Sequence, residues 1–141
     1  MNKRNKLILS FVPVVILLIV VVVILTKEQS ERVSTTRKAT DKRSLVGNWL
    51  RTDAGYRILI SNLNEDGTLS AQYYNPDPIK VGKANWEESY GNFKIVIELR
   101  DINYPGSTYT LNYLPDRDIL AGEYYQAVEG LTFYVEFARN K

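Results

Sequence analysis

The groups capable of acid–base chemistry in this chain are mainly carboxylates and tyrosines, because the sequence contains no His and no Cys. A Ser-His-Asp triad, a thiolate nucleophile and a thiolate or imidazole metal site are therefore excluded. Carboxylate pairs stand beside predicted turns at Glu65-Asp66, Glu87-Glu88 and Asp116/Asp118. General acid catalysis by a carboxyl group requires burial that raises its pKa, whereas a turn leaves the group solvated. We therefore predict no catalytic site, no metal site, no cofactor and no enzymatic activity.

A second group of residues could bind a ligand without catalysing a reaction. All ten Tyr and both Trp lie after residue 44, many at the alternating spacing of a strand face. On the predicted inner face, one set offers hydroxyl groups, an amide and an indole to a small apolar ligand: Tyr73, Trp86, Tyr109, Tyr113, Tyr124 and Gln126. The alternative is that these side chains simply fill the interior.

Strands must position these side chains, because turn signals rich in Gly, Pro, Asn and Asp divide the chain after residue 44 into short segments. In the run 93–99 the odd positions hold Phe, Ile, Ile and Leu, and 131–137 repeats the pattern with Leu, Phe, Val and Phe. One apolar and one polar face per strand is typical of an antiparallel sheet. The predicted strands are 49–52, 56–63, 69–74, 79–87, 93–101, 108–114, 119–126 and 131–139.

Short connections between consecutive strands predict an up-and-down meander, and closing it into a barrel removes both exposed edges. We predict an all-β fold, an antiparallel up-and-down β-barrel of about eight strands, preceded by one N-terminal transmembrane helix. A small two-sheet sandwich is the structural alternative. Beside the proposed ligand residues, the inner face is expected to include Trp49, Leu69, Ala71, Ile95, Ile97, Leu99, Leu111, Leu120, Gly122, Phe133, Val135 and Arg139.

The N-terminal part of the chain has a different composition. The run from Leu7 to Thr26 contains no charged residue and would span about 30 Å as a helix, the hydrocarbon thickness of a bilayer. We expect residues 1–26 to be a transmembrane signal-anchor; a cleaved signal peptide is the alternative. Residues 27–44 are polar, with Val33 as the one large aliphatic residue, and are expected to form a flexible tether.

Charge is distributed unevenly along the chain. Residues 1–44 contain nine Lys and Arg against three Asp and Glu, whereas residues 45–141 contain nine against thirteen. An acidic domain does not suit nucleic acid, so no nucleic-acid partner is expected. The short basic tail before the first apolar segment favours a single-pass membrane protein with its domain on the periplasmic or extracellular side. The basic flank after that segment favours the opposite orientation, in which it would face anionic lipid. Because large domains translocate largely regardless of flank charge, we predict the first orientation.

Gly47-Asn48-Trp49 on the first predicted strand and Arg139 at the end of the last one resemble the calycin superfamily, which includes the lipocalins and avidins. In that family a Gly-x-Trp closes the barrel base and an Arg packs across the Trp ring. The resemblance implies that Gly47, Trp49 and Arg139 close a calycin-like barrel formed by residues 45–141. The Thr-Asp-Tyr signature and the final helix of lipocalins are missing here, as are the several Trp of an avidin biotin pocket.

Two functions follow from these patterns. The first is a membrane-tethered barrel that binds a small apolar ligand in its interior. The second is a ligand-free interaction module, or an accessory subunit of an envelope complex, whose outer surface binds a membrane protein partner.

Overall fold

The computed structural model describes residues 40–141 and, before them, Val22 alone. The predicted signal-anchor and the predicted tether up to residue 39 therefore lie outside the described residues. In the part that is described, no helix is both long and apolar enough to cross a bilayer. Residues 40–141 form one compact unit with a hydrophobic core of its own. We therefore expect this unit to fold on its own.

Nine antiparallel strands form this domain. Each strand neighbours the next in sequence except β4 and β5, and the first pairs with the last, so the order is β4-β3-β2-β1-β9-β8-β7-β6-β5. The predicted all-β antiparallel barrel is confirmed, with nine strands in place of about eight. The strands are β1 (Gly47–Arg51), β2 (Arg57–Leu63), β3 (Leu69–Asn75), β4 (Asp77–Ile79), β5 (Val81–Ser89), β6 (Asn92–Asp101), β7 (Tyr104–Leu114), β8 (Ile119–Gln126) and β9 (Leu131–Arg139).

The additional strand lies where the sequence predicted a turn followed by one longer strand. The chain reverses at Pro76, so that Asp77 pairs with Asn75. The next connecting residue changes partners: the Lys80 N–H donates to the Asp101 carboxylate at 2.9 Å, and its carbonyl accepts an N–H of β6 at 2.8 Å. This change separates β4 from β5. Pro78 is tolerated because β4 is short and is paired along one edge only.

The barrel is nearly closed where β3 approaches β5. Thr68 and Asn85 form an isolated β-bridge, and the backbone N–H of Trp86 donates to the Gly67 carbonyl at 2.8 Å. No ladder joins β3 directly to β5, and β5 shifts register against β6 beside Gly82. The gap between β3 and β5 is therefore bridged at separate points and not by a continuous ladder.

The core follows the alternation of the strands. The four apolar residues at odd positions of β6 are all buried, as the pattern predicted. Ile58 and Ile60 of β2 are also fully buried, although they were absent from the predicted inner set. Phe133 was expected inside, but it is 42% exposed because it lies near the start of β9 at an open end of the barrel.

Candidate ligand-binding site

One end of the barrel is closed by a 3-10 helix, Lys42–Leu45, that precedes β1. The Asp41 carboxylate caps this helix by accepting the Arg43 backbone N–H at 2.9 Å. Leu45 is fully buried, and its carbonyl accepts the indole N–H of Trp49 at 2.9 Å. The last residues assigned to the tether from sequence are thus part of the barrel base.

Arg139 joins the last strand to this base. Its guanidinium lies 4.2 Å from the centroid of the Trp49 ring. It donates to the carbonyls of Ser44 and Val46 at 2.6 and 2.9 Å. It also binds both carboxylate oxygens of Asp118, at 2.7 and 2.9 Å. One side chain therefore ties β9 to the β7–β8 turn and to the chain before β1.

Gly47 and Tyr113 complete the base. A Cβ at Gly47 would lie 2.3 Å from a guanidinium nitrogen of Arg139, so a side chain there would displace that contact. The Tyr113 hydroxyl donates to Asp118 at 2.9 Å. Hydrogen bonding to Arg139 lowers the pKa of Asp118, which favours the ionised carboxylate. The structure places Gly47, Trp49 and Arg139 in one cluster at the closed end.

The opposite end of the barrel, called the mouth here, is open and contains a cavity of about 480 Å³. β1 runs from Gly47 at the base to Arg51 at the mouth, so the two ends are separated by the length of a strand. The β1–β2 and β6–β7 loops contribute to the rim, together with the ends of β3 and β8. The lining residues are Arg51, Asp53, Ala54, Tyr56, Tyr73, Asn75, Asn103, Tyr104, Tyr124, Gln126 and Phe133.

Aromatic rings form the floor of this cavity. The hydroxyls of Tyr73 and Tyr109 are 2.9 Å apart, and the rings of Tyr109 and Tyr124 stack with centroids 4.4 Å apart. Burial raises the pKa of Tyr73 and of Tyr109, so both hydroxyls stay protonated at neutral pH. Tyr109 is fully buried and supports the lining from below. Tyr73, Tyr124 and Gln126 reach the cavity itself.

The structure does not bring Trp86 or Tyr113 to the cavity, which removes both from the candidate site. Tyr113 belongs to the base. Trp86 is half-buried on β5, where its indole N–H donates to the Asn64 carbonyl at 2.9 Å. The Lys42 ammonium lies 5.3 Å from its ring centroid. Alternation along a strand correctly placed these side chains on a face, but it does not give their height in the barrel.

Sequence reasoning missed Arg51, which lines the cavity. Its guanidinium donates to the Asp53 carboxylate at 2.6 and 3.0 Å, and it lies 5.1 Å from the centroid of the Tyr56 ring. The available signal was parity, because Arg51 follows Trp49 by two positions on β1 and therefore shares its inward face.

The cavity can hold a ligand through aromatic faces, hydroxyls, amides and one guanidinium. The amide of Asn75 donates to the Tyr104 hydroxyl at 2.5 Å, which fixes both groups at the rim. Among the described residues, no cluster of carboxylates is placed to hold a metal ion.

Comparisons with known proteins were made at three levels. No protein-family model, no curated protein and no solved structure matches the chain. The candidate site is therefore defined by the geometry of the barrel mouth.

Proposed function

We propose that residues 45–141 form a calycin-like barrel that binds a small ligand in its mouth. The observation that carries the proposal is the cavity of about 480 Å³, since small-molecule sites typically measure roughly 300–1,000 Å³. The calycin-like assignment is supported by the nearly closed antiparallel barrel and by the contact of Arg139 with Trp49 beside Gly47.

The side chains that line the cavity also indicate the chemistry of its ligand. The sequence suggested an apolar ligand, and the rings of Tyr56, Tyr104 and Phe133 do offer apolar area at the mouth. The amides of Asn75 and Gln126 stand among them, so polar groups on the ligand would also find partners. The proposed ligand has a flat apolar body that carries a few polar substituents.

Native mass spectrometry of the 40–141 domain, purified gently from its own host, tests ligand binding. We expect a bound small molecule of defined mass. Ala54→Trp should abolish the adduct, because Ala54 lines the cavity and the indole would fill the mouth. Glu129→Trp is the matched control on the exposed β8–β9 loop. A clean unliganded mass for the wild type, or an adduct that survives Ala54→Trp, would contradict the proposal.

In the same proposal, the segment from Leu7 to Thr26 anchors the protein in a membrane, with the domain on the periplasmic or extracellular side. The chain joins the domain at the closed end, which leaves the mouth at the far end of the barrel. Protease added to intact cells should digest the domain while a cytosolic marker stays intact. Digestion only after the membrane is opened to the cytoplasm would indicate that the domain faces the cytoplasm.

The second candidate function is an interaction module or an accessory subunit of an envelope complex. It is favoured by apolar and aromatic side chains that project from the barrel: Ile102 is 91% exposed and Tyr134 is 68% exposed. Such side chains are common in protein interfaces. This candidate predicts that one membrane protein copurifies with the full chain and is lost with Ile102→Ser or Tyr134→Ser. Unchanged copurification in both variants would argue against it.

A further inference from the structure

We propose that the ligand of the mouth cavity carries an anionic oxygen group and that Arg51 binds this group. This inference rests on the proposed function and narrows its ligand to organic oxyanions, such as carboxylates, sulfonates or phosphates, on a flat apolar body.

The ion pair at the cavity is asymmetric. The Arg51 side chain is 11% exposed, whereas its partner Asp53 is 59% exposed. The positive group therefore lies in the cavity wall and the negative group lies at the solvent edge. A guanidinium that has lost most of its water requires acceptors, and a carboxylate that remains hydrated compensates it only in part. A ligand oxyanion inside the cavity would offer this guanidinium a further acceptor, on the side away from Asp53.

The rest of the lining is uncharged and rich in hydrogen-bond donors. Among the described residues around the cavity, Arg51 is the one cation and Asp53 the one carboxylate. Burial raises the pKa of Tyr124, so its hydroxyl stays protonated and can donate. The amide of Gln126 adds a further donor at the same wall.

Binding would exchange one carboxylate for another acceptor. The Asp53 carboxylate of this pair is exposed to water, which weakens its attraction to Arg51. The same guanidinium, with its fork of N–H donors, would hold a ligand carboxylate or sulfonate in a dry environment, where charged hydrogen bonds are stronger. Asp53 is then a competitor for Arg51 that the ligand must displace.

A cationic ligand is the opposing alternative, because several aromatic rings surround the mouth and such rings attract cations. Arg51 is already the cation that contacts one of these rings, with its guanidinium 5.1 Å from the Tyr56 ring centroid. A second cation would lie beside this buried charge, whereas Asp53, the one carboxylate among the described residues of the lining, is mostly exposed to solvent. The geometry thus favours an anion.

Two fluorescent probes separate the charge from the apolar body. 1-Anilinonaphthalene-8-sulfonate and N-phenyl-1-naphthylamine share their ring system, but the first carries a sulfonate and the second is neutral. We expect both to bind the 40–141 domain. Arg51→Gln should weaken sulfonate binding about tenfold, the loss expected for one charged hydrogen-bonding partner, and change neutral binding less than about twofold. Asp53→Asn should strengthen sulfonate binding, since the competing carboxylate is removed.

The outcomes distinguish this inference from the proposed function. Arg117→Gln is the control, because Arg117 is an exposed arginine on the β7–β8 turn at the barrel base, and both affinities should stay unchanged. Equal weakening of both probes by Arg51→Gln would make Arg51 a structural residue and overturn the inference. If Arg51→Gln does not fold, Asp53→Asn decides: unchanged or weaker sulfonate binding overturns it. Failure of both probes to bind the wild type would overturn the proposed function and the inference together.

Discussion

Replacing Arg139 with Ala should destabilise the domain more than any other arginine substitution at the barrel base. The side chain is 24% exposed. It contacts three separate segments: the Trp49 ring, the carbonyls of Ser44 and Val46, and the Asp118 carboxylate. Truncation would remove all of these contacts and leave the backbone ladder between the first and last strands without the side chain that ties both strands to the base.

The expected loss of stability in Arg139→Ala is estimated from those contacts of the side chain that solvent would replace least well. The two bonds to backbone carbonyls are charge-assisted and contribute about 1.5 kcal/mol each at the low end of the usual range. Stacking on Trp49 adds about 0.5–2 kcal/mol. The pair with Asp118 is discounted, because that carboxylate is 43% exposed. We therefore expect a loss of about 3–5 kcal/mol, a large part of the roughly 5–15 kcal/mol that stabilises a domain.

Urea unfolding of the 40–141 domain, followed by tryptophan fluorescence, measures this loss. The midpoint should fall by about 2 M, given slopes of roughly 1–3 kcal/mol per molar urea. Arg117→Ala is the control: its guanidinium also makes a two-point pair, with Glu136, but it is 58% exposed and should leave the midpoint unchanged. A loss below about 1 kcal/mol for Arg139→Ala would refute the proposed closure.

Three further predictions concern packing, pH and the cavity floor. Gly122→Ala should destabilise the domain by roughly 1–3 kcal/mol or more, because the new Cβ would lie 2.1 Å from a backbone carbonyl of β7. In Gly55→Ala the new Cβ would have no atom within 4 Å, so this control should be neutral in thermal melts. The Asp118 carboxylate has a folded pKa below its unfolded value of about 3.9. Its contribution to stability is therefore present above the unfolded pKa and is lost as pH falls through the folded pKa. Urea midpoints of wild type and Asp118→Asn should differ at pH 7 and converge as the pH is lowered through the folded pKa, and a constant difference would exclude this linkage. Tyr109→Phe leaves the Tyr73 hydroxyl without its partner and should cost about 1–2 kcal/mol; in a double-mutant cycle, additive single losses would show that the two hydroxyls do not interact.

Strand alternation explains why much of the fold could be predicted from sequence. Phe93 and Leu99 lie on the same face of β6 because side chains alternate along a strand, and both are buried. The turn around Pro76 was predicted, but the separate short strand that follows it was not, because a proline such as Pro78 argues against a strand. The resulting β4 depends on pairing across the sheet, which a local pattern does not report.

The candidate site was harder to predict, because the face of a side chain and its position along the barrel are different quantities. Tyr73 and Tyr113 both point inward, yet one lies at the mouth and the other at the base. The position of a side chain along the barrel axis depends on how far neighbouring strands are staggered, and a single strand's pattern does not report that stagger. Arg51 was missed for another reason: a charged residue is usually assigned to the outer face, and here it points into the cavity wall.

Base and mouth together suggest a division of roles within one barrel. Arg139 ties three segments of the chain together at the closed end, whereas the mouth contains an open volume that its lining side chains do not fill. A binding site placed away from the main closure can change its lining without opening the fold.

The most direct test of ligand binding at the mouth is an amide chemical-shift map of the ¹⁵N-labelled 40–141 domain. The titrant is the fraction of small molecules extracted from the protein's own host. The account predicts saturable shifts confined to Arg51, Tyr56, Asn75, Tyr104 and Gln126 and to their neighbours around the cavity. Shifts confined to the outer face around Tyr134, or no saturable shifts at the mouth, would contradict it.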